Sequence, residues 1–162
     1  EEGLVEISNY LRNSNDYERD KLRGLLRIGI QWGTQVTING SQHKVSQAYC
    51  SALPIAYSEH SSLLWEDFAK LILEAAYEAI LCAAILNFRK TGNNTVFLTL
   101  LGGGAFGNDT SLIIQGIKHA IERYSENALE VVIVSNGSSN SYVQQFIREF
   151  EYASNNSSED HN

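Results

Sequence analysis

Between residues 63 and 89, apolar side chains occupy nearly every turn of a helical repeat. Leu64, Phe68, Leu71, Ile72, Ala75, Ala76, Ala79, Ala83 and Leu86 fill one wide face, and Leu73, Tyr77, Ile80, Leu81 and Ala84 widen it. This predicts a long helix buried on most of its sides, with Ser61 or Ser62 as its N-cap. Ahead of it the pattern is weaker. Residues 4–8 predict a short extended or helical piece, and the polar stretch 9–16 breaks at 13–15. Leu22, Leu25 and Leu26 predict a helix over 17–29, which Gly29 would stop. Residues 31–38 alternate weakly, and Asn39-Gly40 is a two-residue turn signal. A strand follows over 43–50, so 34–50 predicts a hairpin or two strands. Residues 51–62 read as a loop around Pro54, the only proline.

After the long helix the rhythm changes. Residues 96–101 form an almost unbroken apolar run, the pattern of a strand covered on both faces in a parallel sheet. Residues 112–124 carry Leu112, Ile113, Gly116, Ile117, Ala120 and Ile121 at helical spacing. Residues 130–135 predict a second buried strand. A loop at 136–139 leads to a helix over 141–150 with Val143, Phe146, Ile147 and Phe150 on one face. The order strand, helix, strand, helix predicts an α/β layered fold with parallel neighbours and right-handed crossovers. One domain is expected over 1–152, with a disordered Asn-, Ser- and acid-rich tail over 153–162.

Composition narrows the function classes. A hydrophobic fraction of 43% is enough for one core. A net charge of -7 and the lack of a basic run make nucleic acid and anionic membranes poor partners. No uncharged apolar run reaches the ~18 residues of a membrane span. Cys50 and Cys82 sit in apolar patterns, so they read as reduced, buried thiols. N-glycosylation acceptor patterns occur at Asn39, Asn93, Asn108 and Asn136, and the third would block the loop described next. An intracellular, reducing compartment is expected. The chain has no Met, so the protein is expected to continue upstream of Glu1.

The chemistry concentrates in Gly102-Gly103-Gly104-Ala105-Phe106-Gly107-Asn108, between a strand and a helix. Glycines bring backbone N–H groups close to a phosphate, and the helix start adds partial positive charge. The competing reading is a tight turn that binds nothing, although four glycines in six residues exceed what a turn requires. Gly102, Gly104 and Gly107 match the dinucleotide fingerprint, but that motif needs an acid at the end of the next strand. Ser135-Asn136 stands there instead. A P-loop needs Lys and Ser/Thr after its last glycine; Asn108-Asp109 excludes it.

Residues 96–108 resemble the second ligand loop of macrodomains. Residues 45–58 and 73–79 resemble one branch of that family, the MavL-type ADP-ribosylhydrolases, which act on ADP-ribosylated ubiquitin. The likeness spans 17–142 and corresponds to the later part of the family's domain. It implies a three-layer α/β/α mixed sheet whose N-terminal strands, with the first ligand loop, lie outside these residues. It implies ADP-ribose, free or on a modified protein, as the ligand, with no metal and no cofactor. Residues 102–107 would wrap the diphosphate and Phe106 would lie near the distal ribose. Ser135 and Asn136 stand where the family often has an adenine-stacking aromatic, and Tyr142 is an alternative.

Other residues carry two readings each. Asn108 and Asp109 either contact ribose and water, with Asp109 orienting the attacking water, or cap the following helix with Thr110. Glu74 and Glu78, at i,i+4, are either an acid–base pair or salt-bridge partners. Arg19, Arg23 and Arg27 form a ridge that either meets a phosphate or pairs with Asp16 and Asp20. His43, His60, His119 and His161 show no metal spacing.

Overall fold

The computed structural model describes residues 1–135, 137 and 140–159, with residues 151–159 described by their backbone alone. Five helices and four strands follow in the order α1 (Glu2–Asn13), α2 (Asp16–Arg23), β1 (Gly29–Gln35), β2 (Lys44–Tyr49), α3 (Ser62–Thr91), β3 (Thr95–Thr99), α4 (Thr110–Arg123), β4 (Glu130–Val134) and α5 (Ser141–Glu159). A single 3₁₀ turn at Ile55–Tyr57 precedes α3.

The architecture is mixed α/β, as the patterning predicts. α3 is the axis of the fold. Ser61 caps it by accepting from the Leu63 N–H, and Gly92 ends it at φ 78°. It is also long and apolar enough to cross a membrane by length and composition, a point that a search for uncharged runs misses. In this fold its apolar surface packs against α4, α1 and β3. α4 crosses it so closely that a Cβ on Gly116 would sit 3.2 Å from Leu73 Cβ. The core comprises Leu73, Tyr77 and Leu81 of α3, Leu98 of β3, Leu112, Ile113 and Ile117 of α4, and Phe146 of α5. Burying each such side chain stabilises the fold by about 1.5–3 kcal/mol.

β3 and β4 pair in parallel, Thr95 with Glu130 through Thr99 with Val134. This is the β3–α4–β4 unit expected from the sequence. β1 and β2 pair antiparallel, with an irregularity between Gln31 and Thr34. Among the described residues these are two separate two-stranded sheets. The cover expected on both faces of β3 is found on one. Leu98 is buried in the core, while Phe97 on the opposite face is 66% exposed.

Several boundaries differ from expectation. Residues 2–13 form a full helix, tied to α3 by Ser8 Oγ donating to Leu64 O and by an Arg12–Asp67 ion pair at 2.8 Å. α2 stops at Arg23, not Gly29, and Leu25 is 69% exposed. Gly24 favours the stop, because glycine is a poor helix former, and Arg27 then bonds the Gly24 and Leu26 carbonyls. α5 continues to Glu159, through most of the segment expected to be a disordered tail.

Candidate functional site

The parallel strands β3 and β4 end on the same edge, and α4 and α5 start from it. Ligands of open α/β sheets sit in this position. The loop 100–109 forms the rim, and its shape follows from its glycines. Gly102 and Gly107 have φ of 73° and 68°, the left-handed region that side chains avoid. Both also face a wall. A Cβ on Gly102 would lie 2.5 Å from Ala52 Cβ, and one on Gly107 would lie 2.8 Å from Ala56 Cβ. Gly104 differs: nothing lies within 4 Å of a Cβ there.

The wall is the segment before α3. Ala56 N–H donates to Phe106 O at 2.9 Å, and the rings of Tyr57 and Phe106 meet edge-on with centroids 5.9 Å apart. Asn108 is buried at 4% exposure. Its Nδ2 donates to Leu53 O at 2.7 Å and to Gly102 O at 3.3 Å. Two carbonyls on one side fix the amide's orientation, and Oδ1 is left buried without a partner. The glycan acceptor pattern at Asn108 is therefore sealed inside the loop. Tyr77 holds the strand end, donating to Thr99 O at 2.7 Å and accepting from Leu101 N–H at 3.0 Å. Burial raises the pKa of its hydroxyl, so it stays neutral.

Inside the loop, the Gly103 N–H donates to Leu100 O, the Gly107 N–H to Gly104 O and the Asn108 N–H to Gly102 O. Among the described residues, the N–H groups of Gly104, Ala105 and Phe106 donate to no protein acceptor. Gly104 and Ala105 are exposed and Phe106 half-buried. These are three consecutive free donors just before a helix start, the arrangement that favours an anion.

Asp109 is the N-cap of α4, accepting from the Ser111 N–H at 2.7 Å. Its hydrogen bonds to Ser111 and Leu112 hold its carboxyl below the ordinary value. The capping reading accounts for its position. Ser135 lies half-buried at the end of β4, next to the same edge. Asn136 lies outside the described residues. Two clefts adjoin the loop without being lined by residues 102–107. One, of 490 Å³, runs between α4 and α5 from Ser111 to Tyr142 and Phe150. The other, of 720 Å³, lies between β2, β3 and α3.

A second polar cluster joins residues that the sequence offered separately, and its pairing across helices left no signal there. Arg23, at 9% exposure, reaches Glu74 at 2.9 Å, and its Nε lies 3.0 Å from Glu78 without hydrogen-bonding alignment. Asp20 bonds Arg123 at 2.9 Å, and that contact lowers the Asp20 pKa. His119 Nε2 lies 2.6 Å from Glu78 Oε1. Glu74 and Glu78 are thus ion-pair partners. Of the arginine ridge, only Arg23 joins them; Arg19 bonds Leu11 O. The i,i+3 pairing of Asp20 with Arg23 is present at 3.4 Å. His119 sits nine residues into α4, about 13 Å of helix rise from its start, away from the loop. Among the described residues no group of His, Cys, Asp and Glu is arranged for a metal. Cys50 and Cys82 are free thiols, half-buried rather than buried. Burial raises the Cys50 pKa, and Cys82 Sγ donates to Tyr124 OH. Comparison with protein-family models, curated proteins and solved structures finds no match to this chain.

Proposed function

We propose that this chain is a macrodomain-like protein that binds ADP-ribose, with the diphosphate held by the loop 102–107. The observation that carries this reading is the row of free N–H groups at Gly104, Ala105 and Phe106, ahead of α4 and at the C-terminal edge of parallel strands. Charge-assisted hydrogen bonds contribute about 1.5–3 kcal/mol each, while micromolar affinity requires about 8 kcal/mol beyond the cost of association. The loop donors alone fall short, so the nucleoside and distal ribose must add contacts. Phe106, whose ring meets Tyr57 edge-on, is the residue assigned to the distal ribose. Asn108, assigned to the same site from the sequence, is buried and supports the loop from behind, so it adds no direct contact. Ser135, Asn136 and Tyr142 are the residues assigned to the adenine side. The three-layer sheet and an intracellular location belong to this reading too.

In the hydrolytic form of the proposal, the bound diphosphate fixes the ribose so that water attacks C1″, the bond from C1″ to the modified protein breaks, and the water's proton passes to the departing group. Asp109 would orient that water. Its lowered pKa makes it a weak base, so rate would come mainly from positioning. ADP-ribosylated ubiquitin is the substrate suggested by the branch that the sequence resembles. Binding without cleavage is the second reading, favoured by the engagement of Asp109 in its cap.

Calorimetric titration with ADP-ribose, AMP and NAD tests the assignment. Micromolar ADP-ribose binding, with weaker AMP and NAD, is expected. NAD binding tighter than ADP-ribose would point instead to a dinucleotide module. Release of ADP-ribose from modified ubiquitin, lost in Asp109→Ala while binding persists, separates hydrolase from reader.

A further inference from the structure

The 3₁₀ turn Ile55–Tyr57 stands against the glycine loop, and its three residues do different work. Ile55 is buried at 8% exposure. Ala56 holds the loop: its N–H donates to Phe106 O at 2.9 Å, and its Cβ occupies the space that a side chain at Gly107 would need. Tyr57 does neither. It is 70% exposed, and among the described residues its hydroxyl has no partner. Its ring meets only Phe106, with the two planes at 75°.

A single exposed aromatic needs no explanation in itself. Two features set Tyr57 apart. Its backbone is pinned: its N–H donates to Pro54 O at 3.1 Å, the Ser58 N–H donates to Ile55 O at 3.0 Å, and Asn108 Nδ2 holds Leu53 O at 2.7 Å. Its neighbour Phe106 also carries the last of the three free N–H groups. Two nearly perpendicular rings therefore make a corner beside that donor. Three consecutive amides span at most about 7 Å, enough for one diphosphate, so a group joined to the diphosphate at the Phe106 end meets this corner. With the adenine side assigned to Ser135 at the end of β4, that group is the distal ribose. A ribose has C–H groups on its faces and hydroxyls on its rim. Tyrosine matches both, with an apolar ring and a polar O–H, and it has only two side-chain torsions to order on binding.

We propose that Tyr57 is a ligand-contacting residue of this site, its ring packed on the distal ribose opposite Phe106 and its hydroxyl bonded to a ribose hydroxyl. Tyr57 thereby favours ADP-ribose over nucleotides that end at the diphosphate. The inference rests on the ADP-ribose reading of the loop.

The test titrates the full chain with ADP-ribose and with ADP, which lacks the distal ribose, in wild type, Tyr57→Phe and Tyr57→Ala. Calorimetry gives the affinities, and NMR follows the amides of Gly104, Ala105 and Phe106. A thermal scan checks that Tyr57→Ala, a change at an exposed side chain, keeps the fold. Tyr57→Ala should weaken ADP-ribose about tenfold and leave ADP unchanged. Tyr57→Phe, which keeps the ring, should lose about threefold, the share of one hydrogen bond. In the wild-type complex, intermolecular NOEs should join the Tyr57 ring protons to protons of the distal ribose. Absence of those NOEs overturns the proposal, and so does an equal loss of ADP and ADP-ribose in Tyr57→Ala. The two readings fail separately. If the three wild-type amides do not respond to ADP-ribose, the loop assignment falls and this inference with it. If they respond and Tyr57→Ala binds ADP-ribose as tightly as wild type, this inference alone falls.

Discussion

Single residues divide sharply into those the backbone requires and those left free for a ligand. Gly102→Ala forces a side chain into a left-handed backbone, at about 1–2 kcal/mol, and into Ala52. Its melting temperature should drop by several degrees in a thermal scan. Gly104→Ala should leave it unchanged, because its Cβ meets open space. Asp109→Ala removes the cap of α4 and should cost about 0.5–2 kcal/mol in denaturant unfolding at neutral pH. The sign with pH follows from its lowered pKa. A carboxyl that is more acidic folded than unfolded stabilises above its unfolded pKa, near 4. The wild-type advantage over Asp109→Ala should therefore be full at pH 6 and shrink as pH falls below 4. The sequence displayed these glycines and the cap plainly. It did not show that Ala52 and Ala56 form the wall behind the loop, because that contact spans fifty residues and leaves no local pattern.

At the scale of elements, α3 and α4 carry most of the core, and α2 and α3 carry the buried charges. Arg23 from α2 forms ion pairs with both Glu74 and Glu78 on α3. Removing one partner of a buried ion network typically costs about 3–5 kcal/mol, since the remaining charges stay desolvated. Arg23→Met should approach that loss in urea unfolding, well beyond the effect of an exposed pair such as Lys118–Glu122. The sequence made α3, β3, α4 and β4 legible because their apolar rhythms are long. It misjudged α2, where a three-leucine stripe suggested that the helix continued past Gly24. The chain instead turns there and leaves Leu25 in solvent. Glu74 and Glu78 were visible as a spaced pair, but their partner Arg23 lies on another helix, and helical spacing says nothing about that.

For the whole molecule, the α/β class was readable because parallel strands covered by helices leave continuous apolar runs. What the runs could not show is that the strands stay in two sheets and that one face of β3 stays open. Five apolar residues look the same whether the second face is covered or open. The ADP-ribose reading rests on the loop's free donors at the edge of strand ends, and amide NMR tests it most directly. During titration with ADP-ribose, the N–H resonances of Gly104, Ala105 and Phe106 should move together with a micromolar midpoint. In Gly104→Glu, which brings a carboxylate to the proposed diphosphate position from a backbone where a Cβ meets open space, they should stay still while the fold is retained. If these three amides do not respond in the wild-type chain, or respond equally in Gly104→Glu, the loop does not hold the diphosphate.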